Sequence, residues 1–366
     1  MVKDAIVVGG GPAGSACAIV LARAGVEVAL IEASHYETFR VGETLPPAAR
    51  PLLERLDVWE RFAQDALQSA PGIVSVWGRE TPYNNDFLFN PFGPGWHLDR
   101  ARFDHLMAAA ANAAGASLIT ARVGMATYKQ AWNVEATTGA GTIKISADFL
   151  IDAAGRRGWP GRRAYPRRAY DRLIAFAGIF DNSRSEYDFD RRTLIEAVSD
   201  GWWYCAPVPG KRMVAVFFTD SDLAVAGRRA SARRLEDLVA LAPVHTARRL
   251  RGFRLTHSLT FPANGSIAEQ ICGEDWIAIG DAARTFDPLS SQGIMHALES
   301  GLAAARAILQ RGLERGRAMT DYRCRSERTF ESYLKGYAYH YGQESRWPAA
   351  EFWRRRRSFA SVTAGL

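Results

Sequence analysis

The strongest constraint on this chain lies in residues 5–32, AIVVGGGPAGSACAIVLARAGVEVALIE. Ala5–Val8 is an apolar run that reads as a buried strand. It enters Gly9-Gly10-Gly11-Pro12-Ala13-Gly14, which fits G-x-G-x-x-G at Gly9, Gly11 and Gly14. Ser15 to Ala24 follows with apolar residues at helical spacing, Gly25 stops that helix, and Val26–Ile31 is a second strand ending in Glu32. Each part has a physical use. Gly9 permits the tight turn, Gly11 lets the backbone approach a pyrophosphate, and Gly14 lets helix and strand pack closely. The helix start offers free N–H groups and the positive end of its dipole to phosphates. Glu32 stands where a carboxylate can accept hydrogen bonds from a ribose. A strand before the glycines, a helix after them and an acid at the end of the next strand predict a dinucleotide-binding βαβ unit.

With 366 residues, 48% hydrophobic and 23% charged, the chain can bury one large core or two coupled ones. No apolar run reaches the ~20 residues of a membrane span, and no secretory signal precedes the glycine motif. Cys17, Cys205, Cys272 and Cys324 are far apart and form no C-x-x-C. That spacing suggests neither a disulfide framework nor a metal site, and a reducing, cytoplasmic setting is expected. The formal charge of +7 comes mostly from arginine, in pairs such as Arg162-Arg163 and Arg233-Arg234 and in the run Arg354–Arg357. These read as solvated helix faces, with a docking surface for an acidic partner as the alternative. Stacking aromatics and nucleic-acid modules are missing around them, so no nucleic-acid partner is expected.

The expected fold class is α/β. A discontinuous Rossmann-like domain over 1–70, 97–160 and 256–312 carries an inserted antiparallel β-sheet domain over 71–96 and 161–255. A helical segment, 313–366, closes the chain. Ala48–Phe62 reads as one helix, and Trp132–Thr137 with Gly141–Ala147 as a hairpin. Gly201–Pro209 and Met213–Thr219 flank Gly210-Lys211-Arg212 as a second hairpin. Ser231–Ala242 reads as a helix, and a long one runs from about Gly293 to Arg311.

Two further segments join the glycine motif: the strand ending Asp152-Ala153-Ala154-Gly155, and Gly280-Asp281-Ala282-Ala283-Arg284-Thr285-Phe286-Asp287-Pro288-Leu289-Ser290-Ser291-Gln292-Gly293-Ile294. In this order the three resemble the FAD-dependent monooxygenases of the aromatic-hydroxylase type, including the flavin-dependent halogenases. The resemblance covers about residues 1–310. It implies that Gly9, Gly11, Pro12, Ala13 and Gly14 line the FAD pyrophosphate, with Glu32 on the adenosine ribose and Ala33 also binding the cofactor. It puts Arg40 and Arg100 on the pyrophosphate as charge-assisted donors, the Val123 backbone on adenine, and Asp281 on the ribityl chain, with Gly155 and Gly280 beside the cofactor. Pro288, Gln292, Gly293 and Ile294 pass the isoalloxazine, where a helix start favours the negative charge of reduced flavin.

The resemblance further implies hydroxylation of an electron-rich aromatic ring through a flavin C4a-hydroperoxide formed from reduced FAD and O₂. NAD(P)H or a separate flavin reductase supplies the electrons. Halogenases of this type use a lysine beside the flavin, whereas here the lysines are Lys3, Lys129, Lys144, Lys211 and Lys335, none in the stretch Gly72–Gly78 where it is expected. Gly201-Trp202-Trp203-Tyr204-Cys205-Ala206-Pro207 likewise departs from the halogenase pattern G-W-x-W-x-I-P. With His-Leu-Asp-Arg at 97–100 and Pro-Leu-Ser-Ser-Gln-Gly at 288–293, that segment resembles flavoproteins that oxidise a tryptophan of a partner polypeptide on the way to a tryptophylquinone. The alternatives are a halogenase, a dehydrogenase or C=C reductase, and a non-catalytic flavoprotein chaperone. Glu43 and Asp287 are the candidate acid/base residues, each with a purely structural alternative: amide binding for Glu43, turn formation for Asp287. Trp202, Trp203, Trp96 and Phe92 are candidate substrate walls, with packing inside the sheet as the alternative. His97 is a candidate substrate-side group, with a structural histidine as the alternative.

Overall fold

The computed structural model describes residues 1–366 except 66–67, 160–165, 183–189, 227–234, 311–312 and 364–366. The first sheet grows from the βαβ unit. Its strands Val2–Val8 and Val28–Glu32 pair in parallel, and α1 (Pro12–Arg23) crosses between them. Ser117–Thr120 extends the sheet in parallel on one side. Gly141–Asp152 extends it on the other, with Trp276–Ala278 beside the Asp152 end. Gly141–Asp152 also pairs antiparallel with Trp132–Thr138, Trp132 opposite Ala147, so the hairpin forms as expected. The hairpin strand and the strand ending at Asp152 are one continuous strand. The meander, completed by Arg122–Tyr128, curls over one face, where Ile6, Val8 and Ile31 meet Val123, Val134 and Ile145. The opposite face is covered by α1 and α4 (Arg100–Ala113).

The stretch 48–62 is not one helix. It divides into a 3₁₀ turn at Pro47–Ala49, α2 (Arg50–Arg55) and α3 (Trp59–Ala63). The break falls at Asp57, whose φ of +53° places it in the left-handed region, and Val58 N–H donates back to the Leu53 carbonyl to close α2.

The second sheet runs in the order 254–262, 173–181, 212–220, 201–208, 193–198, 72–76, 83–86. Gly201–Val208 and Arg212–Asp220 form the expected hairpin, with Lys211 at φ +58° in its turn. The expected boundary between residues 255 and 256 falls inside the strand Arg254–Pro262, which pairs with Leu173–Asp181 in this sheet. Side chains alternate across it. One face, with Trp203, Cys205 and Phe217, lies under α6 (Leu235–Ala240) and α7 (Val244–Leu250); α5 is Ser221–Ala226. The first residues of the helix expected over Ser231–Ala242 lie outside the described residues. The other face, with Trp202, Val216 and Phe218, meets the C-terminal helices α9 (Leu313–Gly342) and α10 (Glu351–Thr363) through Tyr341, Phe352 and Trp353. α8 (Gly293–Ile308) packs on α1, close enough that a Cβ on Gly301 would come within 2.4 Å of the Ala13 carbonyl.

The run Arg354–Arg357 is not a solvated face. Arg356 is 2% exposed and paired with Asp220 at 2.9 Å, while Arg355 reaches Asp220, Asp222 and Glu351. These ion pairs tie α10 to the end of the second sheet. Among the described residues no helix is long and apolar enough to cross a membrane.

Candidate functional site

A cavity of about 520 Å³ opens where the glycine motif meets the second sheet. Its walls begin at Gly9, Gly11, Pro12 and Ala13 and end at Pro288, Gln292, Gly293 and Ile294. Two helices therefore start on the same space. Neither start carries a side-chain cap: Gly11 precedes α1 and Gln292 precedes α8, and no acid stands in either first turn. Both helix starts keep N–H groups and positive dipole ends available to an anion in the cavity.

The three motif glycines stand in three different situations. Gly9 has φ +110°, and a Cβ there would meet the Ala153 carbonyl at 2.3 Å. At Gly14 a Cβ would meet the Gly9 carbonyl at 1.9 Å, which sets the strand-to-helix distance, and Gly14 does not line the cavity. A Cβ on Gly11 would meet nothing within 4 Å, so this glycine keeps a wall of the cavity flat. Gly280, at φ +56°, packs against Ala13 and binds the Ser300 hydroxyl through its N–H; it stands behind the cavity wall that Ile279 and Asp281 form.

Glu32 accepts from the Gly10 amide at 2.8 Å, from the Ser34 hydroxyl at 2.6 Å and from Arg40 at 3.2 Å. Arg40 and Arg100 both converge on Asp104, which is fully buried. Arg100 also donates to the Val41 carbonyl at 2.9 Å. Asp104 was not singled out in the sequence, although its i,i+4 spacing from Arg100 on α4 was there to read. With its inner face held, Arg40 keeps Nε and further donor capacity on the cavity wall, whereas all three Arg100 nitrogens are engaged by Asp104 and the Val41 and Gly42 carbonyls. Ala33, Val123, Gly155 and Asp281 also line the cavity.

The two candidate acid/base residues both reach the cavity. Asp287 is 1% exposed. Its carboxylate accepts from the Leu289 amide at 2.8 Å, which forms the turn at Pro288, and from the Tyr341 hydroxyl at 2.8 Å. Tyr341 in turn accepts from the Trp202 indole N–H at 3.0 Å. Burial, with Asp171 nearby, pushes the Asp287 carboxyl up to about 7. Glu43 is buried and accepts from the Gly42 amide at 2.9 Å. Desolvation raises its pKa, partly offset by the Tyr204 hydroxyl, the local amides and Arg100.

The expected substrate walls lie elsewhere. Trp202 and Trp203 are both fully buried, on opposite faces of the second sheet, and neither lines the cavity. Adjacent residues on a strand covered on both faces have no other place to go. Tyr204, two positions from Trp202 on the same face, lines the cavity instead, with Val216, Phe218, Phe261 and Phe286. Tyr204 was within reach of a period-two reading. Trp96 packs on Trp59 and Phe62, and Phe92 is on the outer surface. His97 is buried in a small sheet, bonded to the Arg191 carbonyl at 2.8 Å and near Thr44; burial lowers its pKa to about 4. It is a satisfied structural residue and does not line the cavity.

Comparison with known proteins bears on the family and the fold. The tryptophan halogenase family model matches residues 4–87 and 74–364. LodB of Marinomonas mediterranea, which bears the name of an FAD-dependent oxidoreductase, is 28% identical over 98% of both chains. The flavin-dependent halogenase gsfI of Penicillium aethiopicum is 28% identical over 83% of this chain and 63% of its own length. The chain thus spans nearly all of LodB but less than two thirds of that halogenase. Among solved structures, the flavin-dependent halogenase CmlS superposes with a TM-score of 0.85 at 24% identity, over 98% of this chain and 68% of its own. The peptidyl tryptophan dihydroxylase QhpG, essential for tryptophylquinone cofactor biogenesis, does so with 0.78 at 24% identity, over 98% and 79%. At that identity the two structures share the fold.

Proposed function

The chain belongs to the tryptophan halogenase family of FAD-dependent enzymes, and from that premise we propose that it hydroxylates an electron-rich aromatic ring, a tryptophan side chain of a partner polypeptide being the substrate. One observation carries the choice of oxygen over halide. Among the described residues no lysine lines the cavity, and none occurs in the strand Gly72–Val76 or the Trp77-Gly78 that follows. The arginines there cannot replace it, because a guanidinium stays protonated and an amine does not have to. The polypeptide substrate is supported by QhpG, a peptidyl tryptophan dihydroxylase that shares the fold, and oxidation rather than halogenation by LodB, an FAD-dependent oxidoreductase by name that matches over nearly its whole length.

The cavity suits FAD on its own chemistry. Gly11 leaves room for a pyrophosphate against the backbone, the α1 start and Arg40 supply donors for it, and Arg100 adds positive charge beside it. Glu32 and Val123 serve the adenosine end, and the uncapped α8 start at Gly293 and Ile294 serves the flavin ring. Reduced FAD and O₂ supply the electrophilic oxygen, and the electrons come from NAD(P)H or a separate flavin reductase. The chain's own residues do the rest. Val216, Phe218, Phe261 and Phe286 exclude water from the reacting side. Asp287, poised near neutrality, holds or accepts a proton at its carboxylate oxygen, with the Tyr341 hydroxyl fixing the orientation of that carboxylate.

The test is incubation of the FAD-loaded protein with a flavin reductase, NADH, O₂ and a tryptophan-containing peptide, in chloride and in bromide. A mass gain of oxygen in both buffers is expected. Incorporation of halide overturns the reading in favour of halogenation, the activity that names gsfI and CmlS. Peptide reduction or desaturation without oxygen uptake points instead to a dehydrogenase.

A further inference from the structure

A second, larger hollow of about 850 Å³ lies between α2, α8 and α9, away from the glycine motif. Six arginines line it against three carboxylates, Glu299, Glu314 and Asp321. Glu314 pairs with Arg317, and Glu299 is hydrogen-bonded to the His296 ring, so five arginines face two carboxylates, Glu299 and Asp321. Among the described residues, no carboxylate lies within ion-pair distance of Arg55, Arg284, Arg306, Arg325 or Arg328.

Arg284 is the decisive one. It stands on the floor of the hollow, 6% exposed, with Nη1 donating to the Ser326 hydroxyl and Nε without a partner. Its guanidinium lies 5.7 Å from the Phe286 ring centroid. The carboxylate that acts on it, Glu299 on the same wall, stands beyond ion-pair distance, and a buried cation so weakly countered is costly to a folded chain. The other four arginines are exposed on three helices along the trough: Arg55 on α2, Arg306 on α8, and Arg325 and Arg328 one turn apart on α9. Singly, each would bind an anion weakly. Together they suit a ligand carrying several anions at intervals along an extended backbone, and the trough is too large for one inorganic ion to fill.

We propose that the α2–α8–α9 trough, with Arg284 at its floor, is a docking groove for an acidic segment of a partner polypeptide. It does not depend on which reaction the cavity performs. One carboxylate of the segment meets Arg284, and its neighbours meet Arg306 and the Arg325–Arg328 pair.

The experiment uses the FAD-loaded full chain and a fluorescein-labelled peptide of alternating Glu and Gly, read by fluorescence anisotropy, with the Gln–Gly peptide as control. Saturable binding of the Glu peptide alone is expected, weakening steeply as salt rises from about 50 to about 200 mM. In the double variant Arg325→Glu/Arg328→Glu, both surface changes, binding should weaken about tenfold or more with flavin content unchanged. Arg284→Met should lose comparable affinity. Because Arg284 is buried, its melting temperature is measured alongside, and the double variant stands as the test if Arg284→Met fails to fold. Equal binding by the double variant, or none by the parent chain, overturns the proposal. So does full displacement of the peptide by a low concentration of inorganic phosphate or pyrophosphate, which would make the trough a small-anion site.

Discussion

Asp287 joins turn, helix and cavity in one side chain. It forms the Pro288 turn, receives the Tyr341 hydroxyl from α9 and faces the cavity. Its carboxyl, ordinarily near 3.8, is pushed up to about 7 by burial first and by Asp171 second. Between those values the native chain holds a proton that the unfolded chain has released. Its contribution to stability is therefore greatest at low pH, falls as pH rises from about 4 towards about 7, and is level above that. In Asp287→Asn the amide oxygen can still accept from Leu289 while the amide N–H group faces the Tyr341 oxygen, and nothing ionises. The variant should match the parent at about pH 3, where the carboxyl is protonated in both states, and exceed it in denaturation midpoint at about pH 8. A variant equally destabilised at both values would show that the carboxylate is charged in the native state. The structural and chemical alternatives read for Asp287 in the sequence are thus compatible: the oxygen that takes the turn amide leaves the other for Tyr341. The sequence could not rank them, because Tyr341 stands 54 positions away on a helix with no motif.

At the scale of the element, the glycine turn makes a sharp distinction between neighbours. Gly9→Ala forces a Cβ onto the Ala153 carbonyl in a positive-φ turn and should cost about 2–4 kcal/mol, read as a lower melting temperature without ligand. Gly11→Ala has φ −73° and open space, so stability should stay within about 0.5 kcal/mol while FAD binding weakens by roughly tenfold or more. If both variants lost only stability, Gly11 would have no ligand beside it. This turn was legible because each glycine is demanded by local geometry. Elements settled by distant partners were not. Arg354–Arg357 has the composition of a solvated helix face, yet Asp220 and Asp222, more than 130 residues earlier, draw Arg355 and Arg356 inward. The Trp202-Trp203 pair advertised an aromatic wall, but a strand covered on both faces hides both rings, and the wall falls to Tyr204. The helix expected across 48–62 gives way at Asp57, because Val58 turns back to Leu53 and a second short helix then carries Phe62 against Trp96 and Phe103.

For the molecule as a whole, the cavity is the joint between two cores that otherwise look after themselves. Val8 and Ile31 come to it from the first sheet, Tyr204, Val216 and Phe218 from the second, and Gly293 from α8. A dinucleotide lying along it would touch all three and stabilise the folded state by mass action, about 2.7 kcal/mol at a hundredfold excess over its dissociation constant. Hydrogen exchange should register that as slower exchange on binding FAD in the α1 turn, in the hairpin 201–220 and at the start of α8 together. The meander tip near Gly139 and Gly141, remote from the cavity lining, should be unchanged. Protection confined to the α1 turn would mean that the ligand is held only by its phosphate end and that the α8 start does not grip the flavin. Protection at both helix starts without the hairpin would leave the second sheet free of the cofactor, and Tyr204 and Phe218 would then face the substrate alone.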